Sequence, residues 1–373
     1  MRLLLVYFLA VNVVAFVMYG IDKYKARHGR WRISEFALLM AAAVGGSIGA
    51  WAGMKVWRHK TMHKKFKYGV PLLFALHISL LVAFLVYWKK SPFVHNPHDN
   101  ISQCLQLKVD SLLSISPMDV GVAVGYDGGI LCAANAYKRF PMMSVFKLHQ
   151  AVAVVDSMAN GSPLSLDTKV FITKAMLREN TYSPMRDAHP DGNVRLTVGQ
   201  LLRHSLLQSD NNACDILFSL FGGTAYVQSK VAAMGLHDTQ IRWTEDDMHR
   251  DVGRTTDNYT TPREALRVVE AAYADPWLKA CLAECATGQN RIPALLPKHG
   301  VTIGHKTGTG DAGSDGRQHG INDVGFVVLP DGRHYTIAVF CDNSRATFEE
   351  TEAVIAGVSR LAYDFITNTA AHE

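Results

Sequence analysis

Charge is scarce in this chain of 373 residues: Asp, Glu, Lys and Arg together make up 19%, against 48% apolar residues. That balance excludes a disordered chain, which combines high charge with low hydrophobicity. Acidic residues are nearly missing from the first quarter. Residues 1–96 hold 14 Lys or Arg and only 2 acids, Asp22 and Glu35, a balance of +12. Residues 97–373 hold 24 Lys or Arg and 31 Asp or Glu, a balance of −7. The net +5 averages two segments built for different surroundings and gives no reason to expect a nucleic-acid partner. Cysteine is absent before residue 100, and the six that follow (Cys104, Cys132, Cys214, Cys281, Cys285 and Cys341) show no framework spacing. A domain of this length does not need disulfide staples. Cys281 and Cys285, four apart on an expected helix, are poorly placed to bridge, so apolar packing is the default for most of the six. No Cys/His cluster calls for a metal, and no cofactor is expected. Internal repeats and low-complexity runs are also lacking.

Residues 1–96 do contain long uncharged runs. Residues 3–20, 36–54 and 70–88 are 18, 19 and 19 residues long. A hydrocarbon core about 30 Å thick needs roughly 20 apolar helical residues. Reading 3–20 as a cleaved signal peptide finds only Arg2 as its charged start and no small-x-small site before Asp22. The basic residues fall between the runs. Lys23, Lys25, Arg27, Arg30 and Arg32 fill the first gap; Arg58, Lys60, Lys64, Lys65 and Lys67 fill the second. Three simple crossings would put these loops on opposite sides, whereas basic loops prefer the cytoplasm. The middle run carries Gly45, Gly46, Gly49 and Gly53, as a re-entrant bend or close helix contact needs. The expected topology is an outer N-terminus, two crossings and both basic loops inside. His59 and His63, four apart among cations, are expected on a headgroup-facing loop rather than on a metal. The strings from Met18 to Lys25, Trp31-Arg-Ile, Gly45-Gly, Arg58-His-Lys-Thr and Lys65-Phe resemble a small bacterial membrane-protein family of unknown function, over about residues 5–85. That resemblance implies a membrane module and no chemistry. The expected division is a transmembrane module at 1–90, a Pro-containing linker at 91–100 and a globular domain at 101–373.

The second part reads as an α+β globule. Residues 101–115 have helical apolar spacing, 120–126 read as a strand, and 145–158 as a long apolar helix opened by Ser144. Strands are expected at 304–308, 323–329 and 335–341, the last two joined by Pro330-Asp331-Gly332, and a closing helix at 347–367. Outer helices, a central helical block and a C-terminal antiparallel hairpin give a layered α+β fold.

Three motifs follow in order: Ser144-Val-Phe-Lys147, Ser209-Asp-Asn211 and Lys306-Thr-Gly308, at gaps of 62 and 95 residues. Together they are the signature of class A β-lactamases and penicillin-binding proteins. Ser144 and Lys147 lie one helical turn apart and share a face. A serine hydroxyl needs a neighbour to take its proton. Lys147 does so only if burial and a nearby cation, Lys306, lower its pKa. The helix N-terminus at Ser144 favours developing negative charge. Backbone N–H groups of Ser144 and Thr309 are expected to form an oxyanion hole, one such donor contributing about 3–4 kcal/mol. Ser209 is placed to protonate the leaving nitrogen, Asn211 to hold a side-chain amide, and Lys306, Thr307 and Thr309 beside Gly308 to hold a carboxylate. Asp210 is expected to brace its loop.

Beyond the motifs, Glu245-Asp-Asp-Met-His249 resembles the omega loop of class A β-lactamases, in which a Glu activates the deacylating water. His249 stands where most members have Asn, as in the PER and VEB extended-spectrum subgroup. Asn180-Thr-Tyr-Ser-Pro184, Asn258-Tyr-Thr-Thr261, Leu295-Leu-Pro297 and Val328-Leu-Pro-Asp-Gly332 are similar to that subgroup over roughly residues 101–368. The resemblance implies the serine β-lactamase fold, an antiparallel sheet with flanking helices and an all-helical subdomain. It also implies Tyr182 at the pocket mouth, Arg291 as an extra cation near the carboxylate site, and a β-lactam as substrate. One departure stands out. The Arg that members usually carry two residues before the loop Glu is Trp243 here, beside Arg242, so the loop must be held otherwise. The expected protein is thus a multi-pass inner-membrane β-lactamase with a monomeric catalytic domain on the periplasmic side. A peptidoglycan DD-peptidase and a β-lactam sensor that stays acylated share the first and third motifs. Both lack use for Glu245.

Overall fold

The computed structural model describes residues 2–90, 102–313 and 315–369. The expected linker at 91–100 lies outside the described residues. The chain divides into two compact units, Met1–Asn96 and Pro97–Glu373.

Among its described residues the first unit has four α-helices: α1 (Arg2–Arg27), α2 (Glu35–Ala41), α3 (Ser47–Val56) and α4 (Lys64–Lys90). Its middle segment can be traced along α1 by side-chain bonds. Ile33 N–H donates to Asp22 Oδ1 at 2.9 Å. The Tyr7 hydroxyl donates to Val44 O at 2.9 Å and Asn12 Nδ2 to Gly45 O at 3.0 Å. Gly49 N–H then donates to Asn12 Oδ1 at 2.7 Å, and His59 Nε2 meets Asp22 Oδ2 at 2.7 Å. The segment therefore leaves Asp22, runs along α1 to its Tyr7–Asn12 turn, reverses and returns to Asp22. The reversal is the turn Ala42–Gly46, where Val44 leaves helical geometry and Gly45 adopts φ 114°. Its freed carbonyls are covered by Tyr7, Asn12 and His77, the last reaching Ala43 O at 3.0 Å. That covering is what irregular backbone needs away from water. Close approach demands glycine on the return arm: a Cβ on Gly49 would lie 1.9 Å from Asn12 O.

Among the described residues, Glu35–Val56 is the one helical run with the length and hydropathy of a membrane span. The reversal splits it into helices of 7 and 10 residues. At about 1.5 Å per residue neither arm reaches across a core of about 30 Å. The structure also corrects the headgroup-facing reading of His59 and its neighbour Lys60. His59 is buried on Asp22, and Lys60 is buried and bonded to Glu35 at 2.8 Å. The unit's two acids hold these two side chains inward: Asp22 is bonded by the His59 ring and Glu35 pairs with the Lys60 ammonium, because a buried charge needs a partner.

The second unit is built on one five-stranded antiparallel sheet. Its strands are β1 (Asp119–Tyr126), β2 (Gly129–Ala134), β3 (Thr302–Gly308), β4 (Ile321–Val328) and β5 (His334–Asp342), in the order β2-β1-β5-β4-β3. The bounds of β1, β3, β4 and β5 agree with the strands expected from the sequence to within two residues, and β2 is an edge strand that the sequence reading did not name. Helices α5 (Gln103–Ser114) and a C-terminal helix, Phe348–Thr369, cover one face. The other face meets the larger core, centred on α6 (Phe146–Ala159), a long apolar helix buried for most of its length. Two further helices complete the site, α7 (Asn211–Leu220) and α8 (Glu245–Arg250), and α9 (Pro262–Ala274) packs into the same core. The class A arrangement of antiparallel sheet and flanking helices is thus present. The site forms where α6, α7 and α8 meet the edge strand β3.

Candidate active site

Ser144 sits in a single 3-10 turn, Met143–Val145, that feeds into α6. The turn is strained, since Met143 adopts φ 46°. It is held from behind by buried Asn322 on β4, whose Nδ2 donates to Pro141 O at 2.8 Å and Met142 O at 3.2 Å. From the side it abuts Gly308, where a Cβ would lie 2.4 Å from Met142 O. The glycine of Lys306-Thr-Gly308 is therefore required by the closeness of strand and turn.

Lys147 is fully buried and gathers the site. Its Nζ lies 2.9 Å from Ser144 Oγ, 2.7 Å from Glu245 Oε1, 2.6 Å from Asn211 Oδ1 and 2.9 Å from Ser209 O. Ser144 Oγ in turn reaches Glu245 Oε1 at 3.4 Å. Lys306, also fully buried, donates to Ser209 Oγ at 3.0 Å. Burial first, and the Lys147 charge second, push its pKa down to about 7. Two serine–lysine pairs thus stand back to back, with Ser209 between the two ammonium groups.

Ser209 adopts φ 57°, and Asp210 explains how that turn is held. Its buried carboxylate caps α7 through Ala213 N–H at 2.8 Å, and it accepts from Ser183 Oγ at 2.9 Å and Met185 N–H at 2.7 Å. It braces its loop, as the sequence led us to expect.

The segment carrying Glu245 is held without the usual arginine. Thr244 and Asp247 form a capping box at the start of α8. Asp215, one turn after Asn211 on α7, accepts from Glu245 N–H at 2.9 Å and Asp246 N–H at 2.8 Å. Burial, then the Glu245 charge, push the Asp215 carboxyl up to about 7. Buried Asn258 clasps the other side, accepting from Arg242 and Trp243 N–H at 2.8 and 3.0 Å and donating to Trp243 O at 2.8 Å. Trp243 itself donates to Asp257 at 2.9 Å and lies under the Arg254 guanidinium. Sequence reasoning gave no role to Asp215 or Asn258. A signal existed for Asp215, which is spaced four residues from Asn211 and shares its helix face.

These side chains open onto one cleft of about 740 Å³, lined among others by Ser144, Ser209, Asn211, Glu245, Thr307 and Thr309. Tyr182 and His249 line it too. Tyr182 keeps 58% of its surface exposed, at the mouth. His249 is fixed by Nδ1 on Glu245 O at 2.8 Å and by Nε2 on Thr181 Oγ1 at 3.3 Å. Arg291 also reaches the cleft wall, but it is 2% exposed and ion-paired with Glu352 at 2.9 Å. Its other contacts are to Gly308 O, Asn322 O and Thr309 Oγ1. It both carries charge to this wall and props up Thr309. All twelve residues singled out in the sequence therefore lie in the cleft or directly behind its lining.

A serine bonded to a buried lysine, a carboxylate in reach of its oxygen and a second Ser-Lys pair define the class as serine acyl-transfer hydrolases. Comparison with known proteins supplies the family. Residues 105–366 match the model of the Beta-lactamase enzyme family. A β-lactamase of Bacteroides uniformis is 38% identical over 70% of this chain and 90% of its own length. The extended-spectrum β-lactamase PER-1 of Pseudomonas aeruginosa is 34% identical over 71% of this chain and 88% of that protein. The crystal structure of a class A β-lactamase from Bacteroides cellulosilyticus superposes with a TM-score of 0.69 at 36% identity, covering 72% of this chain and 99% of that one. The chain belongs to the class A β-lactamase family and is a serine β-lactamase. Residues 12–66 match a separate family described as a protein of unknown function, DUF1294.

Proposed function

We propose that this chain is a membrane-tethered β-lactamase that opens the lactam amide of penicillins and cephalosporins through an ester on Ser144 and hydrolyses that ester with a water activated by Glu245. The observation that carries the reading is the Glu245 carboxylate at 3.4 Å from Ser144 Oγ, on a loop clasped from both sides. A general base acts directly or through one water, and at 3.4 Å from Ser144 Oγ the Glu245 carboxylate borders the place where a water attacking the ester would stand. In the resting geometry Lys147 donates to Ser144, so the proton leaving Ser144 has Glu245 as its nearest acceptor. The sequence reading gave that proton to Lys147. With the ion pair at 2.7 Å, the better-supported role for Lys147 is to stabilise the alkoxide and to pass charge between Glu245 and Ser209. Backbone N–H groups of Ser144 and Thr309 take the oxyanion. Ser209, backed by Lys306, protonates the leaving nitrogen. Asn211 and the Tyr182 mouth hold the drug's side chain, with His249 steadying the Glu245 helix. Lys306, Thr307, Gly308 and Thr309, propped by Arg291, hold its carboxylate.

The test is turnover of a chromogenic cephalosporin by the detergent-purified chain, repeated with Glu245→Gln. We expect many turnovers from the wild type; the variant, which lacks the carboxylate for both steps, is expected to acylate slowly, without a burst, and to stop as an acyl-enzyme visible as an added mass on the Ser144 peptide. A single stoichiometric burst from the wild type would favour the acylated-sensor or peptidase reading instead.

Lys306 gives a pH dependence. Its cation is present below a pKa of about 7 and is lost above it. The limiting fall in kcat/KM for a carboxylate-bearing cephalosporin is tenfold per pH unit above that value, and Lys306→Arg, which stays charged, is expected to shift the fall upward. A flat profile from pH 6 to 9 in the wild type would rule this out.

For the first unit, we propose that α1 and α4 cross the bilayer and that the α2–α3 hairpin enters and leaves on one side, with both basic loops in the cytoplasm and the catalytic unit in the periplasm. Support comes from the return of the hairpin to Asp22, which brings the segments following Lys23 and preceding Lys64 to one end of α1. Single cysteines at positions 27 and 64 are expected to resist an impermeant thiol reagent in intact cells. Labelling of either from outside would overturn the topology.

A further inference from the structure

Of the string Asn180-Thr-Tyr-Ser-Pro184, Tyr182 lines the cleft mouth and Ser183 bonds Asp210. Thr181, the residue before them, sits on a tightly held segment. Arg186 Nη1 donates to three of its carbonyls, Arg178 O at 2.8 Å, Glu179 O at 2.6 Å and Thr181 O at 2.7 Å. Asn212 fixes its start, accepting from Arg178 N–H at 2.8 Å and donating to Arg178 O at 3.2 Å. At its other end Asn211 N–H donates to Tyr182 O at 3.1 Å. The side chain that this frame positions is that of Thr181, whose Oγ1 lies 2.8 Å from Asn211 Nδ2 and 3.3 Å from His249 Nε2.

The direction of each bond follows from its partners. Asn211 Oδ1 accepts from the Lys147 ammonium at 2.6 Å, so the amide turns Nδ2 toward Thr181. At the far end Glu245 O can only accept, so the neutral His249 ring carries its proton on Nδ1 and presents Nε2 as an acceptor. Thr181 therefore accepts from Asn211 and donates its single hydroxyl proton to His249. The Lys147–Glu245 ion pair closes a ring that runs Lys147, Asn211, Thr181, His249, Glu245 and back to Lys147. Reversing the Asn211 amide would set its N–H groups against an ammonium, donor facing donor. The ring thus holds the amide in one orientation and leaves its second Nδ2 N–H for the cleft that Asn211 lines.

We propose that Thr181 is a specificity-determining positioning residue, whose hydroxyl holds the Asn211 amide in the orientation that receives the side-chain amide of a penicillin or cephalosporin. The proposal deepens the β-lactamase reading above and rests on the role given there to Asn211. Its effect belongs to substrate binding rather than to deacylation. Without the Thr181 hydroxyl, the Glu245 helix keeps its bonds to Asp215 and its capping box. Asn211 Nδ2, by contrast, has Thr181 as its one partner among the described residues. A drug with no side-chain amide makes no use of that nitrogen, so the loss is selective for drugs that carry one.

The experiment compares benzylpenicillin, which carries the side-chain amide, with 6-aminopenicillanic acid, which has the same rings and carboxylate without it. In the detergent-purified full chain, Thr181→Val keeps the shape of the side chain and removes the hydroxyl. KM for benzylpenicillin is expected to rise about tenfold, the usual worth of one hydrogen bond, with kcat within about threefold of wild type. For 6-aminopenicillanic acid, kcat/KM is expected to stay within about twofold of wild type. Thr181→Ser, which restores the hydroxyl, should bring benzylpenicillin back to within about threefold of wild type. A merely distorted site would lower both substrates together. A loss shared equally by both, a benzylpenicillin KM raised less than about threefold, or no recovery with serine would overturn the proposal. Binding separates it from the hydrolytic mechanism. In a Ser144→Ala background, adding Thr181→Val is expected to weaken benzylpenicillin binding about tenfold by tryptophan quenching, and 6-aminopenicillanic acid by no more than about twofold. If the unmodified chain failed to turn over, the ester mechanism would fall and this binding ratio would still decide the role of Thr181.

Discussion

A chain carrying Ser144→Ala is expected to lose turnover of every β-lactam by a factor on the order of 10⁴ to 10⁶, while still binding the drug. The loss is that large because no neighbouring group can take over as nucleophile. Ser209, a second serine lining the cleft, has its oxygen between the Lys306 and Lys147 ammonium groups at 3.0 and 3.4 Å. Binding should survive because the carboxylate wall at Thr307 and Thr309 is built by β3 and Arg291, and none of their contacts passes through Ser144. The check has two parts. Initial rates with a chromogenic cephalosporin should fall to near background, and quenching of tryptophan fluorescence by the same drug should remain saturable and reversible on dilution. Residual turnover above one-hundredth of wild type would mean that another residue carries the acyl group.

The three motifs were legible before the structure because each is a run of three or four residues whose chemistry is local. Ser144 and Lys147 share a helical face, Asp210 precedes a helix it can cap, and Lys306 to Gly308 alternate on a strand. The strands were legible for the same reason, since a short apolar run bounded by turn residues is the local pattern of a strand buried on both faces. What could not be read are bonds made across sequence distance by residues with no local signature. Asn258 binds the N–H groups of Arg242 and Trp243 ahead of the Glu245 helix, and a backbone leaves no trace in the sequence of its partner; for Asp215 the helix face shared with Asn211 was legible, but its backbone partners Glu245 and Asp246 were not. The direction of the 36–54 run was open in the same way. Glycine spacing allowed a close contact or a bend, and only Ile33 and His59 meeting on one carboxylate decide that the chain comes back. His59 and Lys60 looked like loop cations because the two acids that bury them lie 25 and 37 residues away. Arg291 was expected as an extra cation near the carboxylate site, and its pairing with Glu352, 61 residues distant, left no local trace.

Lys147→Ala is expected to cost both catalysis and stability, and the two losses should separate in a double variant. The side chain of Lys147 is fully buried, and that of its partner Glu245 only 8% exposed. Removing one member of a buried ion pair leaves the other charge uncompensated, at about 3–5 kcal/mol. Glu245 borders the cleft, so entering water relieves part of this, and about 3 kcal/mol is the expected cost. For a unit of this size that is a fall in Tm of roughly 6–12 °C. Asn211 Oδ1 and Ser209 O lose a donor in the same step, which adds to the loss. Turnover should drop by a factor on the order of 10³ to 10⁴, since the alkoxide loses its cation and Ser209 its second ammonium neighbour. Adding Glu245→Gln removes the stranded charge. The double variant should therefore regain at least half of the lost Tm while remaining inactive, a coupling of about 2 kcal/mol between the two sites. Thermal unfolding followed by tryptophan fluorescence in one detergent gives all four corners of the cycle. If the double variant is no more stable than Lys147→Ala alone, the 2.7 Å contact is not an ion pair that matters to the fold, and the charge-relay role given to Lys147 loses its support.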